Sequence, residues 1–321
     1  MISKTTEIEK IVLPTPFLVG PVNVYVIKGD SLTLVDTGPN TLEAKEYLTK
    51  ALNNLGFTPT DIEQVILTHH HPDHVGLIEE LFSHAKIIGH EKCDLWLRKD
   101  LTFVSAIEDY FYRFFKSHSV SEELIKKMVK ANRYFLSFTG KKGLDMKVKE
   151  GDTIPGLPGW KVIETPGHAQ SHISLFHEAE RLLIGGDHII AHISSNAILE
   201  PPYNKGEDRP LTLLQYREAL KKCLNLNVSK VYSGHGETVE DLKGLLDIRF
   251  MEHEEKALRL KGMIPKEGIT SFELCQLYFR HIYLKEPMLT MSEIIGHLDL
   301  LEVREEIETR SRNGIIFYFK K

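Results

Sequence analysis

From Val22 to Asp36 two short β-rich runs, VNVYVIK and SLTLVD, flank Gly29-Asp30, a turn dipeptide, and the pattern predicts a hairpin. Asn40 to Leu55 then carries Leu42, Leu48, Ala51, Leu52 and Leu55 at helical spacing, with Gly56 as a stop signal and Pro59 just beyond. A strand over Val65 to Leu67 follows. Between about Glu91 and Gly140 strand signals vanish, and three helices rich in aromatics are expected, including Trp96, Phe103, Tyr110, Phe111, Phe115, Tyr134, Phe135 and Phe138. This stretch reads as an insertion. Strand patterns resume at Trp160–Glu164, His172–His177, Arg181–Ile184 and Lys230–Ser233, each closed by a turn carrying Gly or Pro. Leu211–Asn225 reads as a helix, and Val239 to about Lys261 as a long charged helix leaving the first domain. The tail predicts a helix over Ser271–Tyr283, a second from Ser292 to about Arg310, then the turn Asn313-Gly314 and a strand over Ile315–Phe319. Helices followed by a short hairpin suggest a winged-helix-like domain over 248–321, after a first domain over 1–247.

Against this pattern, 321 residues with 42% hydrophobic and 26% charged residues describe an ordinary globular chain with ample core. No apolar run approaches the roughly 18 residues needed to cross a bilayer. The start, Met1 to Lys10, is charged rather than a signal peptide, so the expected location is cytoplasmic, with no membrane partner. Cys93, Cys223 and Cys275 are odd in number and far apart, which fits neither a disulfide framework nor a zinc ribbon; they are expected to be reduced and structural. A net charge of −5 gives no general attraction to polyanions.

The chemistry gathers at turns. Thr68-His69-His70-His71-Pro72-Asp73-His74 places imidazoles and a carboxylate between a strand and a helix starting near Asp73. Pro166-Gly167-His168, Gly185-Gly186-Asp187 and Gly234-His235-Gly236 each follow a strand, and each sets a ligand-type side chain beside glycine. Neutral imidazoles and carboxylates bind borderline divalent ions. Two ions about 3.5–4 Å apart can share a hydroxide, whose parent water reaches a pKa of ~7.

These residues, in this order, resemble the metallo-β-lactamase superfamily, whose HxHxDH motif is His69, His71, Asp73 and His74 here. The resemblance covers about residues 15 to 247. It implies an α+β fold, an αββα sandwich with the ligand loops along one edge. By that match His69, His71 and His168 hold one metal, Asp73, His74 and His235 the other, and Asp187 bridges. Zinc is the first expectation, with manganese or iron as alternatives. The best-known zinc β-lactamases place cysteine where this chain has Asp187, and the diiron branch resembles HxExD where this chain has His71; antibiotic hydrolysis and a redox role are therefore disfavoured. The tail resembles the winged-helix domain of a branch that includes the mitochondrial β-lactamase-like endoribonuclease. Residues 250–321 hold 11 Lys/Arg and 12 Asp/Glu, so a packing or dimerisation role, with a homodimer as one option, is expected ahead of nucleic-acid binding.

Beyond the ligands, Asp36 is a candidate for orienting one of them or stabilising its turn. His192 is a candidate proton donor or substrate contact, His188 a weaker one, and His172 a possible support behind the ligands. His70 is expected to point away from them by alternation. The leading expectation is hydrolysis of a thioester, ester or lactone by attack of a metal-bound hydroxide, with an apolar acyl group of a small-molecule substrate against the insertion; Phe111 and Phe115 are candidate wall residues. The alternative is a single-stranded RNA endonuclease or phosphodiesterase.

Overall fold

The structure is a computed structural model that describes residues 6–204 and 206–321; Met1–Thr5 of the charged start lie outside it. Strand β1 (Glu7–Leu13), β2 (Val22–Lys28), β3 (Leu32–Val35), β4 (Gln64–Ile66), β5 (Lys86–His90) and β6 (Met146–Val148) form one sheet in sequence order. Strands β7 (Trp160–Glu164), β8 (Ile173–His177), β9 (Leu182–Gly186) and β10 (Lys230–Ser233) form a second, in the order β10-β9-β8-β7. The β2–β3 hairpin is present with its turn where Gly29-Asp30 predicts it.

Both faces of the inner strands are buried, and the side chains show which face meets what. Tyr25, Ile27, Val35, Ile66 and Ile88 of the first sheet pack on Trp160, Val162, Ile173, Leu175 and Ile184 of the second. The opposite face of the first sheet (Val22, Val24, Val26, Leu34, Val65) meets Ala44, Leu48 and Leu52 of helix α1 (Leu42–Asn54) and Cys93 and Leu97 of α3 (Glu91–Arg98). Phe176, Leu183 and Val231 of the second sheet meet Leu213, Tyr216 and Leu220 of α6 (Thr212–Asn225). The layers are thus helix, sheet, sheet, helix. Alternation along one strand explains it, because successive residues face opposite layers.

The short α2 (Pro72–Val75) opens directly after the histidine cluster. In the insertion, α3, α4 (Leu101–Ser117) and α5 (Glu122–Leu136) give the three expected helices. Phe111 and Phe115 do not form a substrate wall: both are buried in the core that also holds α6 and the C-terminal helices, stacked on each other at 5.5 Å. Their helical spacing reports core packing.

The C-terminal stretch holds α7 (Leu242–Met263), α8 (Ser271–Phe279), α9 (Ile282–Lys285), α10 (Pro287–Val303) and the hairpin β11 (Ile307–Arg312)–β12 (Ile315–Lys320). Two boundaries differ from expectation. The helix from Ser271 breaks at Arg280, which has φ +43°. The last helix starts five residues earlier than Ser292 and ends at Val303, and Arg310 lies in a strand. Leu242, Leu246, Ala257 and Leu260 of α7 pack with Ile294, Ile295 and Leu298 of α10. Cys93, Cys223 and Cys275 are buried and free. Among the described residues no helix is long and apolar enough to cross a membrane.

Candidate metal centre

Strands β3 and β4 run parallel, β9 and β10 run parallel, and β7 points the same way as β9 across the antiparallel β8. The carboxyl ends of β3, β4, β7, β9 and β10 are therefore brought to one edge of the sandwich, where the chain turns sharply and side chains converge. Asp36, His69, His168, Asp187 and His235 each lie within five residues of such an end. Close approach fixes some turns: a Cβ on Gly234 would sit 2.1 Å from Asp187 Oδ1, and one on Gly167, at φ +134°, would strike Tyr216.

Three residue groups at this edge have ligand atoms close enough to share an ion: His69, His71 and His168; His69, His74 and Asp187; and Asp73, His74 and His235. His71 Nδ1 is 2.9 Å from His69 Nε2 and 2.9 Å from His168 Nε2. The far nitrogens decide the tautomers. Thr68 Oγ1 donates to Asp36 Oδ2 and so accepts from His69 Nδ1–H at 3.0 Å. His168 Nδ1–H donates to the Asn196 carbonyl at 2.9 Å, with Ser195 Oγ at the same distance. Bare lone pairs of His69 and His168 thus face His71, and at most one proton serves three nitrogens. A shared divalent cation satisfies all of them.

The second half repeats the logic with carboxylates. His74 Nδ1–H donates to Asp36 Oδ2 at 2.8 Å, and His235 Nδ1–H to the Pro21 carbonyl at 2.7 Å. Their Nε2 atoms face Asp187 at 3.3 and 3.4 Å, and His235 Nε2 lies 3.3 Å from Asp73 Oδ2. His74 Nε2, His235 Nε2 and Asp187 Oδ1 are buried and make no hydrogen bond. Orphaned atoms of this kind are costly unless something charged lies between them. The donor set and its vacated lone pairs fit two divalent ions, with Asp187 between the two groups.

The metal-free electrostatics agree. Burial opposes a charge on His74 and His235, but the carboxylates of Asp187 and Asp73, joined by Asp36 at His74, outweigh it; His74 is held well above the ordinary imidazole range and His235 at about 10. Burial, then the other imidazoles, pushes His69 and His71 well below that range. Asp187 is buried, which favours its neutral form, yet His235 and His74 hold it ionised.

The remaining candidates sort by contact. Asp36, at φ +60°, accepts from Thr68 N–H and Thr68 Oγ1, both at 2.8 Å, as well as from His74, so it orients the His74 ring and ties the β3 and β4 turns together. His172 donates from Nδ1 to Thr165 Oγ1 at 2.7 Å and accepts the Asp187 N–H at Nε2 at 3.1 Å, holding the backbone of the bridging candidate. His70 points away, stacked on Trp96 at 4.4 Å and bonded to Ser171. His188 is buried against Tyr216 with neither ring nitrogen hydrogen-bonded. His192 is exposed and its ring covers Gly236, next to His235; it belongs to none of the three groups. Ser195, Asn196 and Pro21 escaped sequence reading, since two act through backbone carbonyls that no side-chain motif reports.

A sequence model described as the metallo-beta-lactamase superfamily matches residues 18–235. A relative from Bacillus subtilis (strain 168), called "Probable metallo-hydrolase YqjP", is 39% identical over 316 residues, 98% of each chain. The "Beta-lactamase-like protein 2 homolog" of Caenorhabditis elegans is 28% identical over 293 residues, 90% of this chain and 79% of its own. Among solved structures, a metallo-beta-lactamase family protein from Thermus thermophilus superposes over 98% of both chains with a TM-score of 0.80 at 24% identity, a likeness of fold. With its sandwich, its clustered histidines and aspartates and a family match over most of its length, the chain belongs to the metallo-beta-lactamase superfamily and is a hydrolytic enzyme.

Proposed function

We propose that this enzyme hydrolyses a thioester, ester or lactone carrying an apolar acyl group, using two divalent ions, zinc first, held by His69, His71 and His168 on one side, Asp73, His74 and His235 on the other, and Asp187 between. Residues 1–247 form the catalytic domain and 248–321 a winged-helix-like C-terminal unit. When bound, such ions polarise the scissile carbonyl and bring a water to a pKa of ~7, so no serine or cysteine nucleophile is needed. The chain's own residues supply orientation and protons. Asp73 is a ligand that also accepts a hydrogen bond from the attacking water, and His192, exposed beside His235, gives a proton to the leaving group.

The observation that carries the substrate class is an apolar rim next to the ligands. The loop that ends at Pro21, whose carbonyl holds His235, presents Phe17 against Phe135 at 5.6 Å and Phe138 at 5.5 Å. Leu18 is 88% exposed and Tyr134 60% exposed in the same rim, while the Phe138 carbonyl is bonded by Asn40 N–H, just past the Asp36 turn. Exposed apolar surface grouped beside a polar centre is what an acyl chain requires. The balanced charge of the tail offers no such surface to a polynucleotide.

A panel of acyl-CoA and other thioesters, lactones, aryl esters, a bis-aryl phosphodiester and single-stranded RNA, compared by kcat/KM with metals controlled, tests this reading. A carbonyl substrate is expected to lead. RNA cleavage faster than every carbonyl substrate, and lost in Asp187→Ala, would replace the proposal with the nuclease alternative.

A further inference from the structure

The segment between β9 and α6 carries both groups on His168 Nδ1, the Ser195 hydroxyl and the Asn196 carbonyl. This segment has no regular secondary structure of its own from Ala191 to Glu200. Its conformation is fixed from outside, in part by the C-terminal helices. Asn196 Nδ2 donates to the Leu289 carbonyl at 3.0 Å and faces Glu293 Oε2 at 3.5 Å; both are acceptors, which sets the orientation of the amide. Leu199 N–H donates to Ser292 Oγ at 3.0 Å. On α7, Arg249 Nη2 donates to the Ala191 carbonyl at 2.9 Å, and His253 Nε2 lies 3.3 Å from Ser194 Oγ. On the sandwich side Thr212 Oγ1 of α6 donates to the Ala197 carbonyl at 3.0 Å, Tyr216 of α6 bonds the Ser195 backbone, and Glu200 accepts Gln170 N–H at 2.6 Å.

From these contacts we propose that α10, with α7 beside it, positions the imidazole of His168, and that Asn196 and Ser292 are the positioning residues that transmit it. The inference rests on the reading of His168 as a metal ligand. The physical link is short. The Asn196 carbonyl can only accept, so it holds the proton on Nδ1 and leaves Nε2 bare toward His69 and His71. The same residue's side chain is moored to α10. Releasing that amide lets the carbonyl drift, and His168 loses both its fixed tautomer and its ring angle. The C-terminal unit is thereby part of the metal centre rather than an appendage to it.

The test is titration of the metal-free, full-length chain with Zn2+ against a chromophoric chelator. Loss of a group that orients a ligand typically weakens metal binding 10–100-fold. In Asn196→Ala and Ser292→Ala, one of the two dissociation constants is expected to rise about 10-fold or more while the other stays put. Ser292→Thr, which keeps the hydroxyl, restores it. Ile307→Ala truncates a buried residue of the C-terminal hairpin that makes none of these bonds; it lowers Tm and leaves both constants unchanged, separating positioning from general destabilisation. If Asn196→Ala does not fold, the Ser292→Ala and Ser292→Thr pair carries the comparison alone. Both variants binding two ions as tightly as the wild type overturns the inference, provided His168→Ala loses one ion. If His168→Ala also keeps both, the ligand reading itself fails.

Discussion

Replacing Asp36 with asparagine exchanges one oxygen for an NH2 group and should disable the centre while the backbone keeps its conformation. Asp36 sits at φ +60°, a region that asparagine tolerates as well as aspartate, so the backbone has no reason to move. Its carboxylate accepts three hydrogen bonds at 2.8 Å, from Thr68 N–H, Thr68 Oγ1 and His74 Nδ1. The amide oxygen can keep the first. Its NH2 then meets two donors, the Thr68 hydroxyl and His74 Nδ1–H. The hydroxyl can rotate, at the cost of its acceptance from His69. His74 can recover only by moving its proton to Nε2, the atom that faces Asp187 at 3.3 Å and is needed bare. One unsatisfied buried donor costs about 1–3 kcal/mol, which matches the 10–100-fold loss usual for such supports. Chelator-competition titration should show one ion bound 10–100-fold more weakly, and kcat/KM should fall by a similar factor at limiting metal. Thermal melting of the metal-free chain should fall as well, because there Asp36 helps to hold His74 protonated and accepts its Nδ1–H, while circular dichroism should show the fold retained. Two tightly held ions in Asp36→Asn would refute the argument that the carboxylate sets the tautomer.

Three further outcomes follow from the same geometry. Because His235 must shed a proton held up to about pH 10 before it can bind an ion, metal loading should release protons, and apparent affinity should rise with pH until about 10; calorimetry in buffers of different ionisation enthalpy would show it, and a pH-independent affinity would contradict it. Burial raises the Glu200 carboxyl to about 7, so the folded chain binds that proton more tightly than the unfolded one; this contribution to stability is complete below about pH 4.5 and is lost as pH rises through 7. In Glu200→Gln, urea melts at pH 5 and pH 8 should therefore differ less than in the wild type. Phe135→Ala or Leu18→Ala should raise KM for an acyl substrate roughly 5-fold, about 1 kcal/mol of apolar contact, with little change in kcat; an effect confined to kcat would remove the rim from substrate binding.

The clustered histidines and aspartates and the sandwich were legible because they use the two strongest signals a sequence carries. His69 to His74 is a dense side-chain motif, and strands such as VNVYVIK are apolar on both faces because both are buried. Elements at the periphery were harder to read. Strand β1 lies at a sheet edge with Glu7, Glu9 and Lys10 on it, so its charges hide Ile11 and Leu13, the two residues it buries. Strand β6 is three residues long, too short for any period. Helix α10 is buried almost all round, which erases its amphipathic stripe, and the exposed, polar β11 reads as its continuation. The insertion aromatics misled in the other direction, since Phe111 and Phe115 fill core while the exposed rim comes from Leu18, Tyr134 and Phe135. The supports on His168 and His235 are backbone carbonyls of Asn196 and Pro21, and a carbonyl carries no residue identity to find.

The most direct test of the central claim is elemental analysis of the purified full-length chain after loading and removal of loosely held metal. Seven clustered side chains with three orphaned buried atoms predict two ions per chain, falling by at least one in Asp187→Ala with the fold intact by circular dichroism. One ion or none in a correctly folded wild-type chain, or two ions undiminished in Asp187→Ala, would contradict it.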